Sequence, residues 1–188
     1  RKRAAYADQT GPVRRGIGMA LFWYNTAVWP ISLESSSCRM VLNQDGSLQV
    51  QTGETEIGQG CDTAYAQMAA DAIGIPFEDV HIVSTQDTDV TPFGTGAYAS
   101  RQTYIGGPSL RQTGELLKER ILKYAVELTR QMRENLDLVD GKIVRTTDGR
   151  ALMTLGELAT EVLYSLEHSQ HITAESTYQI KNNAYSFG

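Results

Sequence analysis

The stretch Gly53-Glu54-Thr55-Glu56-Ile57-Gly58-Gln59-Gly60 decides how this chain is read. Before it lie two strand-like runs, residues 38–42 and 47–52, joined through Asp45-Gly46. Asp-Gly between such runs is a strong hairpin signal. After it, Tyr65, Met68, Ala69, Ala72 and Ile73 fall on one helical stripe. Gly74 sits where a C-terminal glycine belongs, and Pro76 prevents continuation. The octapeptide is therefore a strand-to-helix corner. Its glycines let a ligand approach the backbone closely. The first amides of a helix lack internal partners and carry the positive end of its dipole. Such a corner can hold an anion, phosphate above all, and Gln59 adds two donors and an acceptor beside it. Taken alone, the pattern also reads as a glycine-eased turn that packs a helix on a sheet.

Working outward, residues 1–15 are basic, contain Gly11-Pro12 and read as a lead-in segment. Residues 16–24 form an apolar run that predicts a buried strand, and residues 26–37, with Trp29-Pro30 and a serine cluster, predict a loop. Downstream, residues 80–84 are strand-like and residues 86–98 predict a loop around Pro92, Gly94 and Gly96. A long helix follows, its core stripe carried by Leu110, Gly114, Leu117, Ile121, Ala125, Leu128 and Met132. It begins either near Ser100 with a bend at Pro108 or afresh at Gly107-Pro108. Asp140-Gly141 marks a second hairpin between residues 136–139 and 142–145. Thr154 and Glu157 form a capping box ahead of a third helix carrying Leu155, Leu158, Ala159, Val162 and Leu163, and residues 172–180 have mixed strand character. This order predicts an α+β fold, an antiparallel sheet packed with helices. The hairpin of residues 38–52 should pack against the two longer helices, with residues 16–188 forming one domain portion.

The chain has 188 residues, 41% of them hydrophobic and 21% charged, which is ordinary for a globular protein. Its net charge of −5 leaves no electrostatic footprint for nucleic acid. No apolar run approaches the roughly 20 residues of a membrane helix. Arg1 in first place and the stop at Phe187-Gly188 lead to the expectation of a piece excised from a longer polypeptide, opening without a signal peptide. Cys38 and Cys61, with no CxxC pattern, point to a reducing, cytoplasmic compartment. His81, His168 and His171 are too few and scattered for a metal site, and the His168/His171 pair reads as a solvated loop.

A second segment, Gly94-Thr95-Gly96-Ala97-Tyr98-Ala99-Ser100-Arg101-Gln102, crowds small residues and hydroxyls ahead of a helix. It offers free amides, and Arg101 could grip a phosphate through two parallel bonds. The competing reading is a long loop capped by Ser100. Two helix starts, each preceded by a glycine loop, suggest one extended polyanionic ligand between them. Asp87-Thr88-Asp89 lacks the third carboxylate that a hard cation needs. Glu54 is expected on a solvated strand face, whereas Glu56 reads either as a structural hydrogen-bonding group or as a site group. Cys61 at the helix start is either a thiol of lowered pKa or a small buried apolar residue. Trp29 either walls a flat aromatic substrate or fills the core. No Ser-His-Asp or Cys-His arrangement is present.

Thr55-Glu56-Ile57-Gly58-Gln59-Gly60 followed by Tyr98-Ala99-Ser100-Arg101-Gln102 resembles the molybdopterin-binding segments of the xanthine dehydrogenase/aldehyde oxidase family. Gln86-Asp87-Thr88-Asp89-Val90-Thr91-Pro92 and Ala184-Tyr185-Ser186-Phe187-Gly188 are similar to the bacterial xanthine dehydrogenase branch, and the resemblance runs from Gly16 to Gly188. It implies part of the molybdopterin-binding domain of a larger molybdenum subunit. The parent enzyme would hydroxylate a purine-like heterocycle with oxygen from water and pass electrons to iron–sulfur clusters and FAD on other domains or subunits. The pterin dithiolene would hold the molybdenum, so no protein metal ligand is expected. Gly58, Gln59 and Gly60 would meet the cofactor on one side, and Gly96, Ala97, Tyr98, Ala99, Ser100, Arg101 and Gln102 on the other. The family's glycine-rich loop, its substrate arginines and its glutamate base have no counterpart in this chain, so no catalytic residue is assigned. Residues Val28-Trp29 would lie near the substrate cavity. A reading from another class is a non-catalytic anion-binding or assembly module that uses the same corners. A related oxidoreductase acting on aldehydes or other heterocycles is the neighbouring reading within the family.

Overall fold

The computed structural model describes residues 4, 7, 9–31, 34–83, 87–182 and 184–187, the last four through their backbone. Readings that fell on residues 1–3, 5, 6, 8, 32, 33, 84–86, 183 and 188 lie outside the described residues. In chain order the strands and helices are β1 (Trp23–Thr26), β2 (Ser35–Leu42), β3 (Leu48–Thr52), α1 (Cys61–Ile73), β4 (Val80–Val83), α2 (Gly107–Thr129), β5 (Leu136–Val139), β6 (Lys142–Arg145), β7 (Ala151–Thr154), α3 (Leu155–Tyr164), β8 (Thr173–Gln179) and β9 (Ala184–Phe187). The result is an α+β fold.

The Asp45-Gly46 hairpin forms as its sequence predicts, with Met40 opposite Val50 and Leu42 opposite Leu48. β8 adds to β2 antiparallel, but β4 adds to β3 parallel, so the sheet β4-β3-β2-β8 is mixed rather than purely antiparallel. The connection from β3 to β4 runs through α1, and a crossover helix returns the chain in the starting direction. Gly74 ends α1 in the left-handed region at φ 93°, and its amide is bonded to the Ala70 carbonyl at 2.8 Å. Asp140 and Gly141 both have positive φ, the geometry that a tight hairpin between β5 and β6 requires. α3 carries the predicted capping box: Thr154 accepts from the Glu157 amide at 3.2 Å while Glu157 accepts from the Thr154 amide at 2.7 Å.

One core collects the inner residues of the hairpin (Cys38, Met40, Leu42, Leu48, Val50), of α1 (Tyr65, Ala69, Ile73) and of α2 (Leu110, Leu117, Ile121, Ala125), joined by Leu155, Leu158, Ala159 and Val162 of α3. The expected packing of the hairpin on the two longer helices is present, with Leu117 fully buried and Met68 partly buried against the core. Leu128, in the last turn of α2, and Met132, beyond its end at Thr129 where Arg130 turns left-handed at φ 58°, depart from the predicted stripe and are exposed.

Residues 16–24 do not form the predicted buried strand. β1 begins only at Trp23, and Ile17, Met19, Leu21, Phe22 and Trp23 are exposed. A strand needs a partner, and β9 pairs with β1 only over Trp23–Thr26. Strands β7 and β9 carry no signal that the sequence reading used. The long helix combines both predicted starts: helical backbone begins at Arg101, runs through a π turn at Gln102–Gly106, and becomes a regular α-helix at Gly107 with Pro108 in its first turn.

Leu117→Ala removes a fully buried side chain at the meeting of both helices and the sheet, and should cost about 2–5 kcal/mol in a denaturant titration. An unchanged midpoint would place Leu117 outside the core.

Candidate functional site

β3 ends at Thr52, and the chain crosses residues 53–60 to reach α1. Gly58 and Gly60 take positive φ of 97° and 84°, values at which a side chain would be strained. The Glu56 carboxylate folds back over this corner. It accepts from the amides of Gly58 (2.7 Å), Gly60 (3.2 Å) and Asp62 (3.1 Å). These bonds, the Asp62 amide first, hold Glu56 below the usual glutamate range. The expectation of a vacant anion site at the start of α1 is thereby corrected: the protein's own carboxylate takes those amides. Of the two readings open for Glu56, the structural one describes what it does here.

Gln59 points the other way. Its Nε2 donates to the Thr55 carbonyl at 2.9 Å and to Gln102 Oε1, while its Oε1 accepts from the Ile57 amide at 2.7 Å. Gln102 Nε2 donates to the same Thr55 carbonyl at 2.6 Å. The two carboxamides thus join the first corner to the second. Gln102 is held by the π turn: the Tyr65 hydroxyl donates to the Gln102 carbonyl at 2.9 Å. Burial, with the nearby Glu54 carboxylate adding to it, pushes the Tyr65 pKa up and keeps the phenol a neutral donor. Gly106 makes this possible, since a Cβ there would run into the Tyr65 hydroxyl.

The loop before the π turn is tightly shaped. Ala99 and Ser100 sit in the left-handed region at φ 48° and 52°, each at a cost of about 1–2 kcal/mol. The Ala27 amide donates to the Ala99 carbonyl at 2.7 Å, and the Arg101 amide to Tyr98 at 3.1 Å. Ser100 is therefore no ordinary cap, and its hydroxyl makes no hydrogen bond among the described residues. Residues 97–103, with Ile57 and Gln59, line a cavity of about 360 Å3. Seven of the ten predicted site residues meet here: Gln59, Ala97, Tyr98, Ala99, Ser100, Arg101 and Gln102. Gly96 lines a neighbouring cavity of about 510 Å3 with Thr55 and Thr91. Gly58 and Gly60 shape the corner without lining either cavity.

Arg101 does not do what its sequence position suggested. Its side chain is fully buried. Nη1 reaches both oxygens of Glu54 at 2.7 Å and the Gly96 carbonyl at 3.2 Å, Nε reaches Glu34 at 3.1 Å, and Nη2 reaches the Ser35 carbonyl at 2.5 Å. The fork is spent inside the protein, so the reading of Arg101 as a phosphate-gripping group is corrected. Burial alone would lower its pKa; Glu54 and Glu34 outweigh that and hold it above its ordinary value. Glu54 is likewise not on a solvated face but is only 4% exposed. Glu34 was missed, and Tyr65 was read only as part of a core stripe; no local pattern marks their polar roles, because their partners lie 67 and 37 positions away in the chain.

The remaining candidates resolve simply. Cys61 is buried, and burial pushes its thiol up to about 12, against the reading of an activated thiol. Trp29 packs with Ala27, Ile105 and Ile180, as core packing requires. Asp87 accepts from the Asp89 amide at 2.9 Å within an exposed turn. His168 pairs with Glu127 at 3.0 Å. Among the described residues there is no cluster suited to a metal ion and no helix long and apolar enough to cross a membrane.

The cavity is thus walled by apolar surface, the solvent-exposed Ser100 hydroxyl, two carboxamides and left-handed backbone at Ala99 and Ser100. Residues 1–188 match the family described as the molybdopterin cofactor-binding domain, and the chain belongs to that family. It is 44% identical over 189 residues to the xanthine dehydrogenase molybdenum-binding subunit of Escherichia coli O157:H7, covering 100% of this chain and 25% of the relative. The fold is similar to that of quinoline 2-oxidoreductase from Pseudomonas putida 86, with a TM-score of 0.73 and 26% identity over 89% of this chain and 23% of that one. The Cu,Mo-CO dehydrogenase shares the fold at a TM-score of 0.74 and 24% identity, over 89% of this chain and 22% of that one. The chain spans about a quarter of the length of that 44%-identical relative.

The Glu56 cap carries a pH signature. A carboxylate whose folded pKa lies below its ordinary value of 4.5 contributes stability that is present above that value and lost as the pH falls through the folded one. Glu56→Gln should flatten the stability curve in that acid window and leave its shape at neutral pH unchanged. A variant that follows the parent through the acid limb would show that Glu56 does not cap α1.

Proposed function

We propose that residues 16–188, with residues 1–15 as a lead-in, form a portion of the cofactor domain of a molybdenum hydroxylase. The observation that carries this reading is the shared cavity: Gln59 from one corner and residues 97–103 from the other line it, and the Gln59–Gln102 contact joins them. Gln59, whose two Nε2 hydrogens already go to the Thr55 carbonyl and to Gln102, would offer the remaining acceptor capacity of its Oε1 to a donor on the polar edge of the pterin. Ser100 would offer its hydroxyl, and the backbone around Ala97, Ala99 and Gln102 would follow the cofactor's surface. Gly58, Gly60 and Gly96 would act by shaping the two loops, and Arg101 by holding one of them. The bound cofactor would supply the molybdenum chemistry of hydroxylation, through sulfurs of its own.

The substrate class is a purine-like heterocycle, as the name of the 44%-identical relative suggests. The larger polypeptide would supply the residues that act on it, and iron–sulfur and FAD domains or subunits would take the electrons, in the cytoplasm. The rival anion-module reading is weakened at the first corner, where Glu56 already occupies the amides that a free anion would need.

Gln59→Ala in the native full-length protein should lower molybdenum and pterin content while the fold survives. Leaving a cofactor polar group unpaired costs about 1–3 kcal/mol, so retention on gel filtration should fall measurably. Parental metal content and xanthine turnover in that variant would overturn the assignment of Gln59.

A further inference from the structure

We propose that Arg101, Glu34 and Glu54 form a positioning clamp that seats the 94–102 loop on the end of the β2–β3 hairpin and so fixes the shape of the cavity. The proposal rests on the cofactor reading above only for what the cavity holds. Glu34 immediately precedes β2, and Glu54 lies two residues beyond β3. Cys38 pairs with Thr52, so both carboxylates stand at the same end of this antiparallel hairpin. Arg101 comes to them from the far side of the loop. Its guanidinium spans Glu34, Glu54 and the Ser35 carbonyl on the hairpin end and the Gly96 carbonyl within the loop itself.

Neighbouring contacts lie along the same seam. The Ser37 amide donates to the Phe93 carbonyl at 2.8 Å. Gly53 and Gly94 lie back to back, and a Cβ on Gly94 would come within 2.5–2.8 Å of the Gly53 backbone. Glu34 extends the clamp to a third segment: its Oε1 accepts from the Val28 amide at 3.0 Å. The turn at residues 27–29 is therefore tied to the cavity wall.

A buried ion cluster adds little net stability, because desolvation offsets much of the attraction; its best-attested use is to specify one arrangement over others. The choice of arginine fits that use. A planar fork satisfies four separated acceptors at fixed angles, whereas a lysine ammonium is a point charge. Arg101 touches no reacting atom in this account and acts only through the loop that it holds.

The test is Arg101→Lys in the native full-length protein, with two readouts. The first is hydrogen exchange of the cofactor-free form. The amides of Ala27, Val28 and Arg101, bonded within and between the clamped segments, should exchange about tenfold faster or more, while those of β2 and β8 keep their protection. The second is molybdenum content after expression under loading conditions, expected to fall by about tenfold or more. Unchanged exchange at the three amides overturns the clamp. So does a matching loss of protection in β2 and β8, which would make Arg101 a general stability element. Loosened loops with parental molybdenum content overturn the link between the clamp and the cavity's contents. A parent protein that takes up no molybdenum at all overturns the cofactor reading, while the exchange data still judge the clamp.

Discussion

The guanidinium of Arg101, sealed between two carboxylates, is the interaction on which the candidate site depends. Both carboxylate side chains are fully excluded from water, as is the arginine. Charges in such a place lose several kcal/mol of hydration each. They persist because the fork matches their geometry and because two main-chain carbonyls each take a further hydrogen. The loop that carries Ala99 and Ser100 in a disfavoured conformation is held by this cluster rather than by apolar packing. Most of its side chains are small, and its one aromatic ring, Tyr98, stays 38% exposed. Where a loop has no hydrophobic anchor, directional polar contacts have to locate it.

Tyr65 connects that polar region to the apolar core. Its ring lies in the main core beside Ala69 and Ile73, and its hydroxyl ends at the Gln102 carbonyl. The single widened turn at Gln102–Gly106 leaves room for this contact, and π turns of this kind frequently accompany functional sites. A rigid chain of contacts thus runs from the packed face of α1, through one phenol, to the carboxamide pair at the cavity wall.

The parts of this structure legible in the sequence are those set by short-range rules. The Asp45-Gly46 and Asp140-Gly141 hairpins, the Thr154–Glu157 box, Gly74 at the end of α1 and the first five positions of the α2 stripe each depend on residues a few positions apart. The convergence of Gln59 with residues 97–102 was also legible, through the resemblance that placed both segments about one cofactor. What was not legible depends on distance or on a missing neighbour. Glu54 looks solvent-facing until Arg101, 47 residues later, is folded onto it. Arg101 looks like a ligand-binding group until two carboxylates claim it. Residues 16–22 are as apolar as a core strand, yet the partner that would make them one is not supplied by the described residues. The π turn has no periodic signature of its own, and its contact with Tyr65 of another helix at the small Gly106 is set by distant residues.

The Glu56 cap changes what kind of selection this fold exercises. A helix start that kept its amides free would attract anions indiscriminately, and salt would compete for it. Once a built-in carboxylate neutralises that end of the dipole, the charge-based preference is cancelled at its source. What remains on the accessible side is uncharged: the Oε1 of Gln59, whose Nε2 is already engaged by the Thr55 carbonyl and Gln102. Discrimination at this corner then resides in the match of donors to acceptors, which is short-ranged and nearly indifferent to ionic strength. The amides at the helix start are thereby engaged within the chain, and an anion arriving from solvent would have to displace Glu56 to reach them.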